Sequence, residues 1–305
     1  MAAFTAKDVQ ALRERTGCGM MECKKALTEA NGDAEKAIEL LREKGLAAAA
    51  KKAGRIAAEG LVYALINDEN NCGVIIEVNS ETDFVAKNAD FQKFVDTCAR
   101  TVIEKNPADV TALLAEKASG SEQTVEEMLR EKILTIGENM KIRRFARMEG
   151  TLVTYIHGGG RIGILAKFET SADVAAKEEF QAYAKDIAMQ IAAANPTYTN
   201  KEDVPADVIE KEKEILTAQA INEGKPANIA EKMVMGRLGK FYKENCLVEQ
   251  PFIKDGDISV AKYTANTAKE LGGDIKIVGF VRYEKGEGLE KREDNFADEV
   301  ASMMK

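Results

Sequence analysis

Two pairs of short apolar runs, each rich in β-branched residues, constrain the fold of this chain more than any other feature. Residues 61–66 and 72–78 flank a polar segment, and residues 152–157 and 162–168 flank a run of glycines. Runs of this composition separated by a short turn are typical of β-hairpins. Hairpins build antiparallel sheets, so we predict the α+β class. Two further strands are predicted at 142–148 and 275–283.

Helical patterns lie before, between and after these strands. Near the start, Thr5 and Asp33 are suited to cap helices, and Gly17 and Gly45 are suited to end them. We predict three short helices there, followed by a helical or frayed linker at 47–58. Further helices are predicted at 84–103, 121–136, 175–194 and 295–304. The two strand-and-helix blocks are candidates for related subdomains, although we see no clear sequence repeat between them.

A charged segment, 203–245, has the pattern of a helical hairpin. Gly224 and Pro226 separate two amphipathic stretches, since glycine commonly ends a helix and proline commonly begins one. The first stretch contains Glu210-Lys211-Glu212-Lys213-Glu214, which leaves only a narrow apolar stripe. We predict two antiparallel helices that bury their stripes against each other and project from the main core.

Charge and hydropathy bear on the partners that the chain can have. A net charge of −8 at pH 7 disfavours binding to nucleic-acid phosphates unless basic residues cluster. Lys51, Lys52 and Arg55 form a basic patch that is either a solvated face or a partner-steering patch. No apolar run approaches the roughly 18 residues of a membrane span, and the first residues do not resemble a signal peptide. We predict a cytoplasmic protein that contacts neither membrane nor nucleic acid directly.

Residues that could hold a metal or a cofactor are few. The chain has five cysteines and one histidine, His157, without a C-x-x-C pair, so the spacing does not predict a zinc site. We predict reduced, mostly buried thiols. Residues 158–163 match G-x-G-x-x-G formally, but a strand follows where a dinucleotide site needs a helix. We predict a hairpin turn there, no bound nucleotide, no cofactor, and a structural or partner-contact role for an exposed His157.

The stretch Ser80-Glu81-Thr82-Asp83-Phe84-Val85-Ala86-Lys87 joins a buried strand to a helix. Thr82 is suited to the N-cap position, which places Asp83 and Phe84 in the first turn. Two interpretations remain open. Asp83 interacts with the helix dipole while Phe84 packs inward, or Phe84 is an exposed aromatic wedge, beside a carboxylate, that enters a crevice on another protein.

A second unusual patch contains two adjacent methionines, Met20 and Met21. Only one of these two adjacent side chains can face the core of a small helical bundle. We predict that Met21 is buried and that the other methionine is exposed, where its flexible side chain suits an adaptable interface.

Thr82-Asp83-Phe84-Val85-Ala86 resembles the T-D-F-V-A signature of the elongation factor Ts family. Further segments resemble that family in the same order along the chain. They are residues 12–17, 20–27, 136–139 with 142–144, 155–158, and 224–226 with 229–234. Residues 105–125 and 242–275 match only loosely. Several long matches in the right order are specific, so the resemblance covers most of the chain.

The resemblance implies a fold and a division of the chain. The family has an N-terminal three-helix module similar to a ubiquitin-associated domain, a core of two antiparallel-sheet subdomains with helices, a helical hairpin and a C-terminal module. On this chain the implied division is 1–55 for the three-helix, partner-binding module, 56–140 for the first core subdomain, 141–200 with 240–284 for the second, 201–239 for the hairpin, and 285–305 for the C-terminal module.

The resemblance also implies a binding role without a chemical step, as guanine-nucleotide exchange factor for elongation factor Tu. A tip formed by Thr82, Asp83, Phe84 and Val85 would press near the magnesium and nucleotide site of elongation factor Tu and stabilise its nucleotide-free state until GTP binds. The other implied contacts are Arg13, Met20, Met21, Lys24, Ile136, Gly137, His157, Met233 and Val234. Some family members dimerise through the hairpin, which makes a homodimer a second implied assembly.

Two rival classes of function rest on parts of the sequence. An enzyme would use residues 158–163 with His157 and would need a bound cofactor. A passive scaffold would be built on the hairpin at 203–245 and would leave GDP release from elongation factor Tu unchanged.

Overall fold

The computed structural model describes residues 4–67, 69, 71–224 and 227–291, and for 227–231 it describes the backbone alone. The predicted last helix at 295–304, and with it most of the predicted C-terminal module at 285–305, lies outside the described residues. Within the described part of the chain, no helix is long and apolar enough to cross a membrane.

Three helices begin the chain: α1 (Ala6–Thr16), α2 (Met20–Glu29) and α3 (Ala34–Lys52). Thr5 and Asp33 cap α1 and α3 as predicted, because each side chain accepts hydrogen bonds from backbone N–H groups of the first turn. Gly45 does not end α3, contrary to the prediction. It lies inside the helix, where an added Cβ would be 3.6 Å from the carbonyl oxygen of Arg130.

The first sheet contains β1 (Glu59–Ile66), β2 (Cys72–Ser80) and β3 (Met140–Glu149), antiparallel in the order β1-β2-β3. It is covered by α4 (Asp83–Ala86), α5 (Ala89–Lys105), α6 (Val110–Ala115) and α7 (Val125–Ile136). Because β3 pairs with β2, it lies in the first sheet, whereas the predicted division at 140/141 assigned this strand to the second core subdomain. The single helix predicted at 84–103 is interrupted, since Asn88 caps a new helix at Asp90 and Phe91.

The second sheet contains β4 (Thr151–His157), β5 (Ile162–Glu169) and β8 (Lys276–Glu284), antiparallel in the order β4-β5-β8. It is covered by α8 (Ala172–Ala175), α9 (Glu178–Ala194) and α12 (Val260–Leu271), with a small hairpin of β6 (Pro251–Phe252) and β7 (Asp255–Ser259). A shared apolar layer joins the sheets. Its buried members are Val62, Ile75, Leu152 and Leu165.

The two halves are repeats of one unit, which inspection of the sequence did not reveal. Residues 85–107 align without a gap to 174–196, with Phe91 opposite Phe180 and Asn-Pro closing both segments. The side-chain amide of Gln92 donates to the carbonyl oxygen of Ala86, and that of Gln181 donates to Ala175, each at 2.9 Å. In both halves the pairing of the middle strand with the last strand of its sheet also shifts register, at Glu77/Val78 and at Lys167/Phe168. The α+β prediction is therefore confirmed by two similar sheet-and-helix halves.

Two helices, α10 (Ala206–Asn222) and α11 (Ala227–Asn245), form the predicted hairpin. Leu216, Val234 and Leu238 bury the narrow apolar stripe between them. The carboxylate of Glu223 accepts two hydrogen bonds from Arg237 at 2.7 Å. Among the side chains of these helices that the structure describes, three large apolar ones remain exposed: Ile215, Ile221 and Met235.

A buried carboxylate ties the end of the second sheet to the first. Glu77 of β2 is fully buried and contacts Arg143 at 3.0 Å and Arg144 at 2.6 Å. Arg144 also lies over the ring of Tyr283, 4.1 Å from its centroid. The backbone N–H of Gly286, in the turn after β8, donates to Glu77 at 2.8 Å. The last described turn is thus fixed to the middle strand of the first sheet.

Candidate functional site

The end of β2 and the single turn α4 form an exposed tip. Phe84 is 77% exposed, whereas the next residue, Val85, is 5% exposed and packs in the core of the first half. The structure therefore excludes the interpretation in which Phe84 packs inward. It also corrects the assignment of Val85, which is a core residue that anchors the tip and not part of the contact surface.

A charged pair surrounds the exposed ring. The carboxylate of Asp83 lies 3.6 Å from the ammonium group of Lys87, one helical turn away. The same ammonium group is 5.9 Å from the centroid of the Phe84 ring. These groups are exposed, so the contacts contribute little to stability. They leave a carboxylate and an aromatic ring side by side at the surface.

Thr82 occupies the N-cap position of α4, but its side chain does not cap that helix. Its hydroxyl donates to one carboxylate oxygen of Glu138 at 2.6 Å, and its backbone N–H donates to the other at 2.9 Å. In the reverse direction, the backbone N–H of Asn139 donates to the carboxylate of Glu81 at 2.5 Å. We call these four residues the carboxylate clamp; it joins the base of the tip to the segment after α7.

The clamp extends to the three-helix module. The side-chain amide of Asn139 donates to the carbonyl oxygen of Arg55 at 2.8 Å, and the guanidinium group of Arg55 lies 3.4 Å from Glu81. Sequence reasoning did not identify Glu81 or Glu138 as site residues. One signal was present, because Glu138 follows the end of α7, where a negative charge is unfavourable without another partner.

Ile136 and Gly137 are brought to the tip by the clamp. Ile136 packs at the edge of the first core, and Gly137 ends α7 with φ of 89°. An added Cβ on Gly137 would meet no atom within 4 Å, so this surface is open. Gly137 immediately precedes Glu138, whose carboxylate is hydrogen-bonded to Thr82 at the base of the tip.

The remaining predicted contacts on the three-helix module are accessible. Arg13, Met20, Met21 and Lys24 are all exposed. The expectation that Met21 is buried is wrong, since it is 62% exposed and Cys23, Ala26 and Leu27 supply the buried side of α2. Two adjacent exposed methionines form a flexible apolar surface.

The predicted contacts on the second half differ in accessibility. His157 is exposed as expected, and its Nδ1 lies 3.0 Å from the hydroxyl of Tyr155. Met233 is half-buried, but Val234 is 7% exposed and packs inside the helical hairpin, so it is not part of a contact surface. Met235, which the sequence analysis did not select, is 65% exposed.

The glycine run at 158–163 is a hairpin turn, as predicted. Gly158, Gly159 and Gly160 all have positive φ, and β5 continues directly from Ile162. The backbone N–H of Val62 donates to the carbonyl oxygen of Gly160 at 2.8 Å. A strand therefore occupies the place where a dinucleotide site would need a helix N-terminus.

The family model described as Elongation factor TS matches residues 81–287. The chain is 56% identical over 305 residues to Elongation factor Ts of Clostridium perfringens, which covers 98% of this chain and 99% of that protein. It is 54% identical over 301 residues to Elongation factor Ts of Clostridium kluyveri, 97% of each chain. It is 53% identical over 307 residues to Elongation factor Ts of Clostridioides difficile, 100% of each chain. The family model covers most of the core and these relatives cover nearly the whole chain, so the chain belongs to the elongation factor Ts family.

Proposed function

We propose that this chain binds elongation factor Tu in its GDP-bound form and promotes GDP release by inserting the Asp83–Phe84 tip near the magnesium and nucleotide site. The observation that carries the proposal is the 77% exposure of Phe84 on a joint that the protein core and the clamp hold in place. A large aromatic ring left in water on a fixed support is suited to fill a pocket on a partner.

The energetics of such a contact are favourable. Burying a phenylalanine side chain contributes about 1.5–3 kcal/mol. Asp83 would bring a negative charge toward the nucleotide phosphates, and the repulsion between like charges disfavours their binding. By linkage, a factor that prefers nucleotide-free elongation factor Tu lowers its affinity for GDP, and GDP lowers the affinity for the factor by the same ratio. GTP binding then releases the factor. The exchange involves no chemical step.

Further contacts would divide between two parts of the partner. We assign Arg13, Met20, Met21 and Lys24 to the GTP-binding domain of elongation factor Tu, together with Ile136 and Gly137 beside the tip. His157 and Met233 would contact another domain. The support for this assignment is accessibility, since Ile136 and Met233 are half-buried and the other six residues are exposed. The domain division stays a proposal, with the second core subdomain now beginning near Gly150.

A homodimer through the hairpin is a separate proposal. Ile215, Ile221 and Met235 are apolar side chains exposed on α10 and α11. Such residues support self-association when they cluster on one surface.

The test is release of a fluorescent GDP analogue from elongation factor Tu with increasing amounts of the factor. Phe84→Ala should slow release by about tenfold or more, the factor that corresponds to losing about 1.4 kcal/mol. Ile253→Ala is the matched control, because Ile253 is also exposed but lies in the β6–β7 turn. Wild-type release rates with Phe84→Ala would refute the proposal, provided that both variants unfold at the wild-type temperature.

A further inference from the structure

The carboxylate clamp occurs in only one of the two repeats within the described residues. Gly137 and Gly272 both end a helix with positive φ, and Ile142 and Ile277 are buried strand residues at the same distance from them. Glu138 of the first half therefore corresponds to Gly273 of the second, which has no side chain.

The partner residues of the clamp differ as well. Thr82 corresponds to Ser171, and Glu81 corresponds to Thr170, by the gap-free alignment of the two halves. In the described part of the chain, the hydroxyl of Thr170 is a buried group without a hydrogen-bond partner. An added Cβ on Gly273 would be 2.7 Å from Val174, so a larger residue does not fit there.

The second half nevertheless folds in the same way. Val174 is buried like Val85, and the short helix α8 is followed by α9 as α4 is followed by α5. The sheet-and-helix unit therefore does not need the clamp. At the position of Phe84 the second half carries Asp173, so the clamp and the exposed aromatic ring occur together.

We propose that Glu138, supported by Glu81, is a positioning residue that fixes the direction in which Asp83 and Phe84 project. This inference rests on the proposed exchange function. The helix α4 has four residues, and a single turn is too short to be stable by itself. Two hydrogen bonds from Thr82 to a carboxylate are strong and directional. They hold the residue that immediately precedes Asp83.

The clamp also links the tip to the three-helix module. Asn139 contacts the carbonyl oxygen of Arg55, which follows the end of α3. Binding of that module to elongation factor Tu and entry of the tip are then geometrically coupled. Glu138 itself does not need to touch the partner.

The experiment compares Glu138→Ala, Phe84→Ala and the double variant in the full chain. At saturating factor, Glu138→Ala should lower the GDP release rate by about tenfold, equivalent to about 1.4 kcal/mol. Glu138→Gln keeps one carbonyl acceptor and should recover part of that rate. Glu223→Ala is the matched control, since it removes a carboxylate of the helical hairpin that also accepts two hydrogen bonds. Its rate should equal that of the wild type.

Two readouts distinguish positioning from general stability. In the Phe84→Ala background, Glu138→Ala should cause a smaller further loss of rate than it causes in the wild type, because the part of its effect that passes through the ring is already absent. Amide hydrogen exchange should increase at residues 82–86 in Glu138→Ala and stay unchanged in β2 and β5.

Four outcomes are decisive. Wild-type exchange by Glu138→Ala, or an additive loss in the double variant, overturns the inference while the proposed function stands. Wild-type exchange by Phe84→Ala overturns the proposed function. In that case unchanged amide protection at 82–86 in Glu138→Ala would independently overturn the claim that Glu138 orders the tip.

Discussion

Glu77 accepts a hydrogen bond from the backbone N–H of Gly286 at 2.8 Å, although 209 residues separate them along the chain. The carboxylate has no exposed surface, and it is also bound by Asn79, Arg143 and Arg144. Burial opposes its ionisation, but the hydrogen bonds from these groups outweigh burial and hold the pKa of Glu77 below its usual range. The contact between the two halves thus depends on a charge.

We expect this contact to make stability depend on acidity. Since the pKa of Glu77 is lower in the folded chain than in the unfolded chain, its contribution is fully present above the unfolded value of about 4.3 and disappears as pH falls through the folded value. Wild-type protein should therefore lose unfolding free energy more steeply below about pH 4.3 than Glu77→Gln. Urea unfolding between pH 3 and 7 measures the slope of unfolding free energy against pH for both proteins. We expect the two slopes to differ by the equivalent of about one titrating group. Equal slopes would contradict the assignment.

Gly286 itself should be intolerant of any side chain. Its φ is 68°, and an added Cβ would lie 2.2 Å from the carbonyl oxygen of Ala58. Gly288 has a similar φ of 72° and no atom within 4 Å of an added Cβ. Gly288→Ala should cost about 1 kcal/mol from backbone strain alone, whereas Gly286→Ala should cost distinctly more. Thermal unfolding compares the two, and equal costs would show that the turn relaxes freely.

Truncation tests how the three-helix module is joined to the core. Deleting residues 1–33 removes Arg13, Met20, Met21 and Lys24 but keeps α3 on α7. Deleting 1–55 also removes the hydrogen bond from Lys52 to Ile133 and that from Asn139 to Arg55. Both truncations should weaken binding to elongation factor Tu.

The longer truncation should additionally lower the unfolding temperature and the maximal rate of GDP release. Fluorescent GDP release at saturating factor, with calorimetry on the same samples, separates these effects. If the two truncated proteins behave alike, α3 is a passive linker.

Self-association through the helical hairpin should be separable from exchange, for which we assign only Met233 of this element. Ile221 and Met235 are 58% and 65% exposed, so replacing both with serine removes apolar surface without opening the buried stripe. We expect self-association, measured by sedimentation, to weaken and GDP release to remain at the wild-type rate. Leu216→Ser is the contrast, because Leu216 is buried in the hairpin and its loss should unfold that element. Slow exchange by the double surface variant would place the hairpin in the active interface.

The strands and most helices could be predicted because their signals are local. The hairpins at β1–β2 and β4–β5 follow from β-branched runs around short turns. The strand that pairs with β3 could not be predicted, since a sequence gives the order of the strands and not their pairing. The clamp was missed for the same reason, because Thr82 and Glu138 are 56 residues apart.

Burial of single residues was predicted less well. Val85 and Val234 lie beside more exposed neighbours in segments that resemble family contact sites. Successive side chains of a helix are rotated by about 100°, so a residue next to an exposed one can face the core. Asn88 was not recognised as a helix start, although asparagine is a preferred N-cap residue, because apolar spacing continues across it.

The repeat gives position 84 a practical use. Because the fold accepts aspartate at the matching place in its second half, nothing in the core depends on the chemical nature of this side chain. A photoreactive phenylalanine analogue, such as one bearing a benzophenone, could stand there with little disturbance. Irradiation of the complex would then form a covalent crosslink to the surface of elongation factor Tu that the ring reaches, and mass spectrometry would identify the crosslinked residues.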